Sequence, residues 1–156
     1  MRQYEYQVVS VEVDGEVRYI NGTTPENPIY IHEYLNQANR WDVVGFSDLN
    51  FILRRSEKLE NESVYEYAHL VFGAPMRFKS TDPGTCEMVM GLVQRLELGC
   101  RVKVVIPSMV VEFDKLAGDK LLLAEMMIVR ELLRQEWEPF SAFGSGDLHL
   151  RRVHHS

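Results

Sequence analysis

Leu35-Asn36-Gln37-Ala38-Asn39-Arg40-Trp41-Asp42-Val43-Val44, running on to Phe51-Ile52-Leu53-Arg54-Arg55, is answered late in the chain. The answering stretch is Leu132-Leu133-Arg134-Gln135-Glu136-Trp137-Glu138-Pro139-Phe140, running on to Leu148-His149-Leu150-Arg151-Arg152. Each reads as the end of a helix, a Trp-acid pair, a strand, a turn rich in Gly, Ser and Asp, and a strand closed by Arg-Arg. The chain has only 2 tryptophans, and each holds the same place in one copy. This pattern predicts an α+β fold: two fused ββαββ units produced by an internal duplication, with an intervening strand and helix.

Working outward from the first copy, Tyr4-Glu5-Tyr6-Gln7-Val8-Val9-Ser10-Val11-Glu12-Val13 has strand character. Its apolar parity switches at Val8-Val9, which predicts a bulge there. Asp14-Gly15 signals a hairpin returning through Val17 to Ile20. Asn27 before Pro28 reads as an N-cap with proline at the first helical position, and Ile31, Tyr34, Leu35 and Ala38 share one face of a helix over 28 to 39. Trp41 to Phe46 and Leu49 to Leu53, joined near Ser47-Asp48, complete a first unit at 1 to 55.

The second unit is read at 101 to 156. Val102 to Ile106 and Met109 to Phe113 are strands separated by Pro107-Ser108, Leu121 to Leu133 is a wide-faced helix, and Trp137 to Phe143 and Leu148 to Val153 close the unit. Between the units, residues 56 to 100 supply a charged linker, a strand over Val64 to Phe72 and a helix begun by Asp82-Pro83. That helix carries Val89, Leu92, Val93 and Leu96 and is stopped by Gly99. The strand and helix are expected to pack on the repeats. Tyr65-Glu66-Tyr67 echoes Tyr4-Glu5-Tyr6, so the second unit starts either near 101 or near 65 with a large insertion.

Composition narrows the class. The 156 residues are 46% hydrophobic, enough to bury a core. A net charge of −6 lacks the positive surface that phosphate backbones require, so nucleic acid is not the expected partner. No apolar run approaches the roughly 20 residues of a membrane span. Cys86 and Cys100, without a Cys-x-x-Cys pair or an apolar leader, read as unbridged thiols of a cytoplasmic protein. A helix between them would separate them by about 21 Å, beyond disulfide reach.

The Tyr4-Glu5-Tyr6-Gln7-Val8-Val9 opening and the Leu35 to Val44 segment resemble a family of small bacterial domains of unknown function. Its members open with Tyr-Glu-Tyr-Lys-Val-Val and carry Leu-Asn-x-x-Gly-x-x-Gly-Trp-Glu-Leu-Val before a closing Leu-Lys-Arg strand. The likeness covers residues 4 to 55 and, more faintly, the end of the second unit. Arg40 and Glu136 stand where the family has glycine before Trp. The resemblance implies a fold and brings no activity or cofactor.

Chemically capable residues are few. Trp41 and Trp137 read as core plugs beneath helices. Cys86, in the first turn of a helix, is either an activated nucleophile or a small buried residue, and the second is favoured because no histidine follows nearby. His149 alternates away from Leu148 and Leu150 and is expected at the surface. His32 reads as a polar helical flank, and no histidine pair at four-residue spacing offers a metal face. His154 and His155 end the chain. Gly144-Ser145-Gly146 precedes a strand, so a hairpin turn explains it better than a phosphate loop.

Arg55 and Arg152 continue the apolar faces of Phe51-Leu53 and Leu148-Leu150. As matching positions in a pseudo-twofold pair they are the candidate ligand-binding residues for an anionic ligand or acidic partner. No metal or cofactor is expected, and no residue is assigned a catalytic role. The favoured function is a non-catalytic binding or adaptor module for a protein or small anionic ligand. A small enzyme using a scattered cysteine or histidine site, and a homo-oligomeric scaffold joined through sheet edges, are the alternatives.

Overall fold

The computed structural model describes residues 4–36, 41–47, 49–56, 65–73, 75–105, 110–141 and 146–153. The fold is α+β, and the backbone divides into two compact units, Met1–Glu66 with Val153–Ser156 and Tyr67–Arg152. Among the described residues, no helix is long and apolar enough to cross a membrane.

The first unit runs β1 (Tyr4–Val11), β2 (Val17–Ile20), α1 (Ile31–Leu35), β3 (Asp42–Ser47), β4 (Asn50–Ser56). Its antiparallel sheet has the order β2-β1-β4-β3. Val9, Val11, Phe51 and Leu53 are buried, while Tyr6, Val8 and Ile52 on the opposite face are exposed. At the Asp14-Gly15 hairpin, Gly15 takes φ 89° and the Glu16 N–H donates to Asp14 Oδ1.

Two local expectations are corrected here. The register shift lies between Ser10 and Val11 rather than at Val8-Val9, where one valine simply faces out and the next in. Helix α1 starts at Ile31 with Tyr30 as its N-cap, not at Pro28. The hairpin delays it: Val17 N–H donates to Ile29 O, and Ile31 N–H donates to Gly15 O, both at 2.8 Å, so residues 29 and 30 are held in extended pairing. The expected end of this helix, and the linker over 57 to 64, fall outside the described residues.

The other elements are β5 (Tyr65–Val71), β6 (Met76–Ser80), α2 (Pro83–Arg95), β7 (Arg101–Val105), β8 (Val110–Asp114), α3 (Gly118–Arg134), β9 (Glu138–Pro139) and β10 (Asp147–Val153). They form one six-stranded sheet, order β7-β8-β6-β5-β10-β9. Phe72 N–H donates to Gly146 O at 2.9 Å and His69 stacks on His149, which makes the β5–β10 pairing antiparallel. Leu70, Phe78, Val111, Phe113, Leu148 and Leu150 share one face and join α2 and α3 in a single apolar core.

The sheet order corrects the domain boundaries. Residues 101 to 156 close no sheet of their own, because β8 pairs with β6, and β5 lies between β6 and β10. The strand expected to pack on a repeat is instead at the centre of the sheet. Strands β6-β5-β10-β9 stand in the order of β2-β1-β4-β3, so strand order matches the unit that begins at Tyr65, with α2, β7 and β8 inserted. The apolar runs at 102 to 106 and 109 to 113 looked like β1 and β2 because apolar character fixes strand formation, not the choice of partner.

Helix α2 begins as expected, with Pro83 after Asp82, but ends at Arg95, before Gly99. Strand β9 is shorter than expected, confined to Glu138–Pro139. The end of α3 is the most informative junction. Glu136 adopts φ 70°, its N–H donates to Leu133 O, and Trp137 N–H donates to Leu132 O. These bonds are a Schellman closure, completed by the burial of Leu132 and Trp137 in one core. Glycine suits the left-handed position better than glutamate. Replacing Glu136 with Gly is expected to stabilise the chain by about 0.5–1 kcal/mol, and Trp137→Ala to destabilise it by about 3–5 kcal/mol, both read from urea unfolding midpoints.

Candidate functional site

The face of the six-stranded sheet turned away from the helices carries an unexpected polar cluster. On β5 the run Tyr67-Ala68-His69-Leu70-Val71 alternates so that Ala68 and Leu70 enter the core and His69 points the other way. On β10, Asp147 and His149 share that second face, two residues apart. His69, His149 and Asp147 are 0%, 2% and 7% exposed. Lys79, opposite His69 on β6, is also buried.

The geometry is closely set. The two imidazole rings stack at 3.9 Å with an interplanar angle of 3°. His69 Nε2 lies 2.8 Å and His149 Nε2 3.3 Å from the same oxygen, Asp147 Oδ2. Burial opposes ionisation of Asp147, but its hydrogen bonds from His149 and His69 outweigh that and hold the carboxyl well below its usual range. A carboxylate only accepts, so both Nε2 atoms carry the hydrogen. Burial, the neighbouring His149 and Lys79 push His69 well below the ordinary histidine range against the pull of Asp147. Burial likewise lowers His149, opposed by Asp147 and reinforced by Lys79. Both rings are therefore neutral at pH 7.

The expectation that His149 is at the surface is corrected. Alternation placed it on the correct face, but that face is covered, and β10 lies between β5 and β9 rather than at an edge. His32 is corrected too. It is buried, because α1 starts three residues late and turns Ile31, His32 and Leu35 inward. The signal in the sequence is strand-spaced rather than helical: Asp147-x-His149, with a histidine inside the apolar run of β5.

Arg55 and Arg152 each have an internal role. The Arg55 guanidinium lies 4.5 Å from the Trp41 ring centroid and pairs with Glu5 at 2.6 Å. Arg152 lies 4.5 Å from the Trp137 ring, pairs with Asp82 Oδ2 at 3.0 Å and donates to Gln135 O at 3.2 Å. It thus ties the N-cap of α2 to the C-cap of α3. Both tryptophans are buried, as expected. Arg54 differs: it rests on the Tyr4 ring at 4.4 Å and makes no ion pair among the described residues.

Cys86 is not an activated nucleophile. Cys86 is buried, donates to Ser80 O, and burial pushes its pKa up to about 11, the reverse of an activated helix-start cysteine. Neither cysteine is in a disulfide. Gly144 and Ser145 lie outside the described residues, and Gly146, at φ 97°, leads into β10.

No protein family, curated protein or solved structure matches the chain.

Because His69, His149 and Asp147 all titrate lower in the folded chain than in the unfolded one, the unfolded state binds more protons on acidification. The cluster's stabilisation is present above pH 6.5 and is lost as pH falls through the native histidine values, with the Asp147 contribution lost below pH 3.8. Unfolding free energy is expected to fall by about 1.4 kcal/mol per pH unit near pH 6.5, steepening toward about 2.7 kcal/mol per pH unit a unit or more lower while the native rings stay neutral. Urea titrations from pH 7.5 to 5 measure this slope, and His149→Gln should lower it.

Proposed function

We propose that this chain is a non-catalytic binding module that engages a protein partner through the outer face of its four-stranded sheet. The observation that carries this reading is the exposure of apolar side chains on that face, led by Tyr6 at 60% and Val8 at 47%, with Val44 and Ile52 beside them. The corresponding face of the six-stranded sheet is buried at Tyr67, His69 and His149. Contiguous exposed apolar surface on a soluble chain is characteristic of an interaction site.

Arg54 gives the partner its chemistry. A guanidinium over Tyr4 at the margin of an apolar face, with no ion pair among the described residues, resembles the aromatic and arginine anchors of interface centres. The fitting partner presents a flat apolar surface with a carboxylate opposite Arg54. Arg54 replaces Arg55 and Arg152 in this role, since those two already have acidic partners. The sealed histidine cluster and the raised Cys86 pKa weigh against the enzyme alternative.

The two Arg-on-Trp contacts and the shared strand order support an internal duplication beginning at Tyr4 and Tyr65. The positive φ of Glu136, where the small bacterial domain family has glycine, supports the resemblance to it. Unbridged cysteines suit a cytoplasmic setting.

A photo-crosslinking amino acid at position 8 tests the binding face. In cells making the chain it is expected to trap one discrete partner protein, with yield falling about tenfold or more on Arg54→Glu while circular dichroism stays unchanged. No product, or a product indifferent to Arg54, would overturn the reading. A product joining two copies of the chain would assign the face to self-association instead.

A further inference from the structure

We propose that His69, Asp147 and His149 form a binding site for one divalent first-row transition metal ion, with Zn²⁺ the best match. Two imidazole rings and one carboxylate place their donor atoms within ligand reach of one another. The candidate donor atoms all lie within 4.8 Å of one another, and Asp147 Oδ2 is 2.8 and 3.3 Å from the two Nε2 atoms. Ligands of a tetrahedral ion with bonds of about 2.0–2.2 Å stand only slightly farther apart, and the two rings would rotate out of their parallel stack to aim both Nε2 lone pairs at one ion.

The sheet prepares the site. His69 and His149 are cross-strand neighbours and Asp147 follows the two-residue repeat of β10, so backbone pairing holds all three without a loop. Nitrogen and oxygen donors, with no thiolate, favour zinc-class ions over soft monovalent copper, and the mixed set disfavours Mg²⁺ and Ca²⁺, which prefer oxygen alone. When the ion takes Nε2 of a neutral imidazole, that ring's single hydrogen moves to Nδ1. Asp147, with its side chain 10% exposed, is the least buried of the three, and a water molecule on its side would complete the coordination.

Lys79 is the opposing charge. Its ammonium acts on both histidines from β6, and like charges in a poorly hydrated setting repel strongly. The site is therefore weaker than its donors alone would make it, and removing that charge should strengthen it.

The experiment uses the full chain, stripped with chelator and titrated with Zn²⁺ by calorimetry, and with Co²⁺ followed by visible absorption. One ion per chain is expected, with nitrogen-rich tetrahedral Co²⁺ bands and histidine ¹⁵N shifts for two rings in the unsubstituted protein. Asp147→Asn should weaken binding about 100-fold or more, and Lys79→Met should tighten it about tenfold or more. His154→Gln with His155→Gln should leave it unchanged. Loss of binding in that terminal pair, an unaltered affinity in Asp147→Asn, or failure of the unsubstituted chain to bind would each overturn the proposal. The Co²⁺ spectrum and ring shifts keep the test decisive if a cluster variant does not fold.

Discussion

The pairing of β5 with β10 is the constraint on which the larger sheet depends. These strands come from opposite ends of their unit, and their register decides what stands on each face of the sheet centre. In the observed register Leu70, Leu148 and Leu150 enter the helix-covered core, while His69 stacks on His149. A slip of one residue on either strand would exchange these sets, placing imidazoles against α2 and α3 and leucines beside Lys79. The apolar core and the polar cluster therefore specify the same register from opposite sides.

A second device recurs in both units. An arginine near the end of the last strand of each unit lies over a tryptophan ring, at the same 4.5 Å from its centroid in each case. The contact covers the indole with a side chain that keeps its donors at the rim, where Glu5 serves one copy and Asp82 the other. Arg152 does more than Arg55, since it also reaches the carbonyl of Gln135 and so bridges two helix ends. The two Trp and Arg-Arg segments are thus held by different supporting contacts.

Much of this was legible in the chain because it was encoded locally. Period-two runs, the Asp14-Gly15 turn, the Asp82-Pro83 helix start and the paired Trp and Arg-Arg segments each carry their meaning within a few residues. Partner choice between strands was not legible: β7 and β8 resembled β1 and β2 in apolar content, and only the coordinates put β5 and β6 in their place. The start of α1 was misplaced for the same reason, as it depends on Gly15 and Val17 capturing residues 29 to 31 from a distance in sequence. His149 shows the limit most plainly. Alternation assigns a side chain to a face, and whether that face is wet is a property of the whole sheet.

The long separation between β5 and β10 has a consequence for how the chain is made. The first sheet has all four of its strands before Ser56, joined by short connections and one brief helix. The second needs Asp147–Val153, its last strand, before Leu148 and Leu150 can seal the core and before the carboxylate of Asp147 can meet His69. During synthesis, β5 and β6 must therefore wait beside α2 with one edge unpaired and a histidine and a lysine not yet enclosed. Vectorial assembly would proceed in two stages, an early small sheet and a late large one. The aggregation-prone interval of this polypeptide would then lie between emergence of its middle strands and arrival of β10.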